Sequence, residues 1–270
     1  MIASLKRRLW PAVLVSVFAG AMASTGCDIV TGHYRSEETA QWHKTYQLDA
    51  GGRVEIGNIN GSIEVEPSTG NTVDVTAIRK ARGASPEAAK TALERVTIAE
   101  DVSSSRVKLD TKIARSEGTW LNNGGLSVEY HVKVPAGAEL KVSTTSGPLD
   151  IRGLSGRINA DTTNGTITAH DVSGQLQAST TNGGLVIDLA KMPEGGVKLD
   201  CTNGGIRVRL PRDTHATISA SIANGGISAG DLPIEVTGEQ TRRHLEGRLN
   251  GGGPRLDIEG TNGGIELSSR

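Results

Sequence analysis

The side chains that most often carry chemistry are spread thinly along this 270-residue sequence. Five of its histidines lie at scattered positions with no pair at metal-binding spacing: His43, His131, His170, His215 and His244. Zinc hydrolases place two histidines four residues apart on one helix, and no such pair occurs. The glycine run 251–253 precedes Pro254 rather than a helix, so it does not form a phosphate-binding loop. The sequence therefore predicts no catalytic residue, no metal site and no cofactor.

Polysaccharide cleavage is the sharper enzymatic hypothesis, because several β-helical proteins perform it. Such a site needs clustered carboxylates, and aromatic platforms for the sugar rings. The acidic residues are instead distributed along the chain, at Asp150, Asp161, Asp171, Asp188 and Asp200. Residues 131–270 contain no Phe, Trp or Tyr. Trp120 and Tyr130 remain as stacking candidates: exposure of both would favour glycan binding, and burial of both would remove it. The sequence thus favours a non-enzymatic protein.

Charge and composition exclude further classes. Lys and Arg (29) nearly balance Asp and Glu (30), so the electrostatic footprint of a nucleic-acid-binding protein is missing. The densest basic segment, 242–244 with Arg248, is diluted by Glu239 and Glu246 and is interpreted as a solvated loop. Glycine is abundant (35 residues) whereas aromatic residues make up 3%. This composition favours many small, regular layers over a core of bulky rings.

The amino terminus has the pattern of an export signal. Basic residues 6–8 precede an uncharged apolar run over 9–23, which is too short to span a bilayer comfortably. Ala21-Met22-Ala23 fits ordinary signal-peptidase cleavage. Ser24-Thr25-Gly26-Cys27 resembles the bacterial lipobox, although Ser24 stands where leucine is preferred. We therefore expect Cys27 to carry a lipid that anchors the protein to a membrane, with cleavage after Ala23 as the alternative. Which side of which membrane it occupies stays open.

A repeat dominates the rest of the chain. Eight of the twelve asparagines are followed by glycine: Asn60, Asn123, Asn164, Asn182, Asn203, Asn224, Asn250 and Asn262. Asn-Gly tolerates positive φ at both positions, as a tight corner requires. From Ser146-Gly147, which stands in for Asn-Gly, successive corners follow after 18, 18, 21 and 21 residues. A period near 20 residues is typical of one coil of a β-solenoid.

Alternation within each unit supports this all-β interpretation. Apolar or small residues recur at every second position before each corner, as in 158–164 and 176–182, which is the strand period. Stacked coils place Thr162, Thr180 and Cys201 in one inward column, which gives Cys201 a structural role. The corner asparagines form a second column at a half-buried corner, where amides of adjacent coils bond to one another: Asn164, Asn182, Asn203, Asn224 and Asn262. A meander of Asn-Gly hairpins is the competing architecture.

The less regular segments fix the predicted domain boundaries. Residues 1–27 form the signal peptide, 28–47 a tether or first edge cover, and 48–270 the solenoid. Ser85 and Pro86 open one short inserted helix near 86–96, as N-cap and first helical residue. Residues 238–253 interrupt the period before Leu256 restarts it. Cys201 is the only cysteine besides Cys27, so no disulfide framework inside the chain is expected.

Three features of the chain resemble the bacterial "putative adhesin" β-strand-repeat family, a domain of unknown function. They are the closing segments 247–258 and 261–267, the recurrent Thr-x-Asn-Gly-x-Ile units and the inserted helix. The resemblance covers residues 48–270. It implies an extracytoplasmic, β-helical, non-enzymatic domain of the cell envelope, and it carries no catalytic residues to transfer.

Three functions are consistent with these features. The first is an adhesin-like module that presents a repeat surface to an unknown macromolecule, a protein or a glycan. The second is a periplasmic envelope scaffold or stress-response accessory protein that binds a membrane partner in cis. The third, which the sequence disfavours, is a polysaccharide-active enzyme. We expect the first of these.

Overall fold

The computed structural model describes residues 36–114 and 125–270, and these form an almost purely β structure with one helix. The elements of the amino-terminal half are β1 (Ser36–Gln47), β2 (Arg53–Asn60), β3 (Ile63–Ser68), β4 (Thr72–Gly83), α1 (Pro86–Glu94), β5 (Val96–Ser103), β6 (Arg106–Ile113), β7 (Leu126–Pro135), β8 (Glu139–Ser146) and β9 (Leu149–Arg152). Those of the carboxyl-terminal half are β10 (Ile158–Asn164), β11 (Ile167–Val172), β12 (Leu176–Asn182), β13 (Leu185–Leu189), β14 (Val197–Asn203), β15 (Ile206–Leu210), β16 (Ala216–Ser228), β17 (Ile234–Gln240), β18 (His244–Leu249) and β19 (Arg255–Ser269).

The central strands stack in two parallel rows. The first row runs β6, β2, β8, β10, β12, β14, β19, β16, and the second runs β7, β3, β9, β11, β13, β15, β19, β16. One strand of each row makes one coil, and β16 and β19 are long enough to serve both rows. Parallel pairing between successive coils confirms the predicted β-solenoid and rules out the hairpin meander, in which neighbouring strands would be antiparallel.

Register follows the hydrophobic pattern. Ile158 pairs with Leu176, Leu176 with Val197 and Val197 with Leu256, so one apolar layer runs through four coils. The strands show alternating buried and accessible residues, and the buried side chains join in one core. Because a slip of one residue would turn every apolar side chain outward, the alternation fixes the register of each coil.

Chain order and spatial order differ at two places. The last strand, β19, lies between the coil of β14 and β15 and the strand β16. Near the other end, β2 and β3 lie between the coil of β6 and β7 and that of β8 and β9. The sequence period predicts the coils but not these insertions, because each coil carries the same pattern.

Antiparallel strands close both ends of the solenoid. At one end, β5 pairs with β6, and β4 joins β7 to β1. At the other end, β18 pairs with β16, and β17 pairs with β18. The predicted interruption at 238–253 is therefore largely this β17–β18 hairpin. Strand β18 covers the edge of β16 over Ala216–Ser221, which would otherwise be unpaired, and β17 covers β18 in turn.

The structure refines two predicted boundaries. Of the two interpretations of residues 28–47, a tether or a first edge cover, the edge cover is correct for residues 36–47. These residues form strand β1, which pairs with β4 over twelve residues and has alternating half-buried and exposed positions. The helix ends at Glu94 rather than near 96, because Val96 starts β5 and is fully buried. Its start agrees with the prediction: the Ser85 side chain accepts a hydrogen bond from the Ala88 N–H at 3.2 Å.

Candidate interaction surface

The corner asparagines form a continuous ladder of side-chain hydrogen bonds along the solenoid. Asn182 Nδ2 donates to Asn164 Oδ1 at 2.9 Å, and Asn203 Nδ2 donates to Asn182 Oδ1 at 3.0 Å. Asn262 Nδ2 then donates to Asn203 Oδ1 at 2.8 Å, and Asn224 Nδ2 donates to Asn262 Oδ1 at 3.0 Å. All four bonds run in one direction, so every inner amide donates once and accepts once. The spatial order places Asn262 before Asn224, because β19 is inserted before β16.

The ladder lies on the surface, which corrects the expectation of a half-buried corner. All five ladder asparagines are exposed, because the inward alternation of each strand ends two residues earlier, as at Thr162 before Asn164. The backbone expectation is also wrong for these residues. Among described non-glycine residues only Asp171 and Asn250 have positive φ, so the ladder asparagines do not adopt the left-handed conformation of a type I′ turn.

The glycine after each ladder asparagine is required by close approach between coils. A Cβ on Gly183 would overlap the carbonyl oxygen of Gly165, and a Cβ on Gly204 would overlap that of Gly183. The same contact links Gly263 to Gly204 and Gly225 to Gly263. This glycine column explains the Asn-Gly frequency better than turn geometry does, since only glycine leaves room for the next coil.

The inward column beneath the corner satisfies the glycine carbonyls. Thr180 Oγ1 donates to Gly165 O at 2.9 Å, and Cys201 Sγ makes the corresponding contact with Gly183 O at 3.4 Å. Cys201 is 4% exposed, and burial raises the pKa of its thiol. A protonated, enclosed thiol is a poor nucleophile, so Cys201 acts in the structure as a replacement for threonine.

A groove of 580 Å³ runs beside the ladder across four coils. Its lining includes the second glycine after each of four ladder asparagines, namely Gly184, Gly205, Gly226 and Gly264. In contrast to the glycine column, an added Cβ at Gly205, Gly226 or Gly264 would find ordinary room; at Gly205 the nearest atom is Gly264 O at 3.7 Å. At Gly184 the fit would be tighter, with Gly205 O at 3.3 Å. Coils towards the amino terminus carry Ser62, Pro148 and Thr166 at the equivalent position. Packing between coils therefore does not demand glycine at three of the four positions, Gly205, Gly226 and Gly264, and the effect of the groove glycines is to keep the groove open.

The outward face of the first row carries a line of acidic and hydroxyl side chains. Asp161 pairs with Ser179, Ser179 with Asp200 and Asp200 with Glu259. Burial raises the pKa of Asp161 and of Asp200. The positive charge of Lys141 opposes this rise at Asp161, and that of Lys198 opposes it at Asp200. A neighbouring carboxylate adds to the rise in both cases. Within residues 36–114 and 125–270, no three His, Cys, Asp or Glu side chains are arranged to hold a metal ion.

Tyr130, one of the two predicted stacking residues, is fully buried. Its hydroxyl hydrogen-bonds with Thr111 Oγ1 at 2.8 Å, and burial raises its pKa to about 12. It therefore offers no ring to a sugar, while Trp120 lies outside the described residues.

The predicted basic loop is partly strand, since His244 and Arg248 belong to β18. Arg243 donates from its guanidinium to Ala223 O at 3.2 Å, so it ties the hairpin to β16.

Strand β1 carries an aromatic cluster that the sequence did not reveal, since residues 28–47 were predicted only as a tether or first edge cover. Tyr46 donates from its hydroxyl to Glu100 Oε2 at 2.7 Å, and Lys44 Nζ lies 2.7 Å from Glu100 Oε1. The same ammonium group lies 5.6 Å from the centre of the Trp42 ring. Burial, followed by the bond to Glu100, raises the pKa of Tyr46. These contacts join β1 to β5 and act as a structural closure of that end. The alternation of 36–47 was the signal that could have revealed a strand.

The predicted lipid-attachment residue Cys27, the signal peptide and the first part of the predicted tether lie outside the described residues. No helix among residues 36–114 and 125–270 has the length and apolar character needed to cross a membrane.

Comparison with known proteins gives a family and a fold. The model of the family described as Toastrack DUF4097 matches residues 53–268. A crystal structure named a "putative cell adhesion protein", from Clostridium sporogenes ATCC 15579, has a TM-score of 0.52 and 12% identity, and the match covers 86% of this chain and 100% of that one. A "putative adhesin" from Bacteroides fragilis NCTC 9343 has a TM-score of 0.34 and 9% identity over 86% of this chain and 97% of that one. No curated protein matches. At 12% identity the first likeness shows a shared fold.

Proposed function

The chain belongs to the Toastrack DUF4097 family, and from this premise we propose that it is a non-enzymatic, adhesin-like envelope protein, anchored to a membrane through a lipid on Cys27. In this proposal the solenoid lies outside the cytoplasm and presents its repeated surface to another macromolecule, a protein or a glycan. The family membership confirms the resemblance found in the sequence.

The observation that carries the proposal is the groove beside the exposed asparagine ladder. A primary amide has two N–H donors and two acceptor lone pairs, and an inner ladder asparagine uses one of each along the ladder. Each such amide therefore keeps one donor and one acceptor for a ligand. The groove glycines keep this surface accessible over successive coils. A long, repeated surface of this kind suits a polymeric partner.

Protease shaving of intact cells tests the location. We expect externally added protease to remove the protein while a cytoplasmic marker survives. Metabolic labelling with an alkyne fatty acid should mark the wild type and the Cys201→Thr control, but not Cys27→Ala. Protection of the protein in intact cells, with cleavage after permeabilisation, would reject the adhesin-like placement and support the periplasmic scaffold. Lipid label in Cys27→Ala would show that the anchor residue is wrong.

Filling the groove tests the binding surface. Gly205→Leu adds a side chain where the backbone has room, so the solenoid should fold normally. Gln177→Leu adds the same side chain at an exposed position of β12 outside the groove and serves as the matched control. We expect beads coated with Gly205→Leu protein to attach to whole cells and immobilised mucin at least tenfold less than wild-type or control beads. Equal attachment of all three proteins would remove the groove from the proposal.

A further inference from the structure

Among the described strands, β19 alone pairs both with the segment β16–β18 and with the rest of the solenoid. On one side β19 pairs with β14 and β15, and on the other with β16. Among the described strands, β16 pairs with β19 and β18 alone, and β17 pairs with β18. The segment β16–β18 therefore adds to the solenoid through β19. Before β19 is in place during folding, the edges of β14, β15 and β16 that it covers have no paired strand.

The contacts of β19 are extensive, and none depends on which chain supplies the strand. Leu256, Ile258, Ile265 and Leu267 are buried in the core. Asn262 fills the gap in the ladder between Asn203 and Asn224, donating to the first and accepting from the second. A second copy of the chain carries the same strand, so the same hydrogen bonds and burial are available between molecules.

The turn that returns the chain into this slot is short, and one of its residues, Asn250, is held in a left-handed conformation that residues other than glycine rarely adopt. Three consecutive residues have positive φ: Asn250 at 49°, Gly251 at 86° and Gly252 at 90°. The turn is closed by a hydrogen bond from Gly252 N–H to Leu249 O at 3.1 Å and is followed by Pro254. Asn250 is held in its left-handed conformation by its own amide, which donates to Arg212 O at 2.9 Å and to Thr214 O at 2.8 Å. Short connections under strain favour exchange of the element that they carry.

We propose that β19 is exchangeable between molecules, so that two copies of this chain form a dimer in which each supplies the β19 layer of the other. The open form of the turn would extend residues 250–254 and release the left-handed conformations of 250–252, while every strand pair is re-formed across the dimer. Each copy then contributes Asn262 to the asparagine ladder of its partner. This inference goes beyond the proposed function and does not require it.

Concentration decides between the closed monomer and the exchanged dimer. A short linker holds its own strand at an effective concentration on the order of 1 mM. Joint refolding near that concentration should therefore yield a substantial dimer fraction, whereas refolding near 1 µM should yield monomer. Asn250→Ala removes the two amide hydrogen bonds and places alanine in a left-handed conformation, so it should raise the dimer fraction several-fold.

Crosslinking between singly labelled chains tests the exchange directly. Lys198 on β14 and Asp257 on β19 are paired residues. In a Cys27→Ala, Cys201→Thr background, chains with Lys198→Cys are mixed with chains with Asp257→Cys, unfolded, refolded together and treated with a short bis-maleimide. We expect a covalent dimer on a denaturing gel after refolding near 1 mM and little after refolding near 1 µM. Lys141→Cys on β8, separated from β19 by three strands, replaces Lys198→Cys in the control and should give none.

Two outcomes would overturn the proposal. One is a mixture that refolds with native circular dichroism at every concentration but yields no more crosslinked dimer than the Lys141→Cys control. The other is a deletion of Gly251 and Gly252 that stays monomeric by light scattering while folding normally, because the closed turn cannot form without those residues. Failure of the deletion variant to fold leaves the decision with the crosslinking experiment, which uses the natural turn.

Discussion

Replacing Gly204 by alanine should destabilise the solenoid strongly, whereas the same change at the adjacent Gly205 should not. At Gly204 the backbone has φ of 151°, and the new methyl group would overlap the carbonyl oxygen of Gly183 in the next coil. At Gly205 the new methyl group would lie 3.7 Å from Gly264 O, an ordinary contact. Both variants add one methyl group, at positions one residue apart. The difference between their free energies of unfolding therefore reports how closely the coils approach at Gly204.

The size of the effect follows from two contributions. Forcing an extra methyl group into a packed site costs about 1–3 kcal/mol, and a β-carbon in the left-handed region costs about 1–2 kcal/mol. We therefore expect Gly204→Ala to lower the free energy of unfolding by about 3 kcal/mol. Gly205→Ala restricts the unfolded chain without strain in the fold, and should change stability by less than about 1 kcal/mol, towards stabilisation.

Urea unfolding followed by circular dichroism measures both variants. The Gly204 N–H donates to Asn262 O at 2.9 Å, so displacement of this coil should also weaken the pairing with β19. Hydrogen exchange at the amides of β14 and β19 would then increase in Gly204→Ala before global unfolding. Equal unfolding midpoints for Gly204→Ala and Gly205→Ala would refute the close-approach argument. The Asn-Gly pairs would then need another explanation.

Three further predictions concern the ladder, the inward column and the acidic line. Asn203→Ala removes two ladder hydrogen bonds and should lower stability by about 1 kcal/mol, roughly twice the effect of Asn224→Ala, which removes one. Thr180→Val leaves a glycine carbonyl without its donor and should cost about 1–2 kcal/mol, whereas Cys201→Thr supplies a better donor and should not destabilise. Asp200→Asn should stabilise at pH 7, with a gain that disappears as pH falls below about 4, where the unfolded carboxyl is protonated.

The sign of the last prediction follows from the raised pKa of Asp200. A folded state with the higher pKa binds more protons, so stability falls as pH rises from the unfolded pKa through the folded one. Denaturant titrations of wild type and Asp200→Asn between pH 3 and pH 7 measure the difference. An Asp200→Asn protein that is less stable than wild type at pH 7 would contradict this prediction. For the ladder, the contrary result is an equal loss of stability in Asn203→Ala and Asn224→Ala. For the inward column, the contrary result is a Thr180→Val protein with an unchanged midpoint.

The family resemblance and the coil architecture were readable from the sequence because both depend on local, repeated features. Alternation with period two sets which side of a strand faces the core, and the Asn-Gly corners mark where each coil turns. The N-cap at Ser85 was equally local, since it needs only a hydroxyl three residues before an N–H. The column of Thr162, Thr180 and Cys201 followed from stacking coils in register.

Features that depend on neighbours in space were not readable in this way. Strand β1 pairs with β4 through residues that lie 25 positions apart at Gln47 and Thr72 and 47 apart at Ser36 and Gly83. Its polar sequence alone therefore left a tether and an edge cover as equal alternatives. The burial of Tyr130 depends on coil closure around it, and the exposure of the asparagine ladder depends on how the corner turns the amides outward.

The sequence by itself therefore determined the repeating unit of this protein, the inward alternation of its strands and the presence of a glycine at each corner. Only the tertiary structure decided the order in which the units stack, with β19 inserted before β16 and β2 inserted after β6. The physical reason is that coils with the same hydrophobic pattern are interchangeable as neighbours by local criteria. Their order is set by the edges that remain unpaired when each strand finds its place.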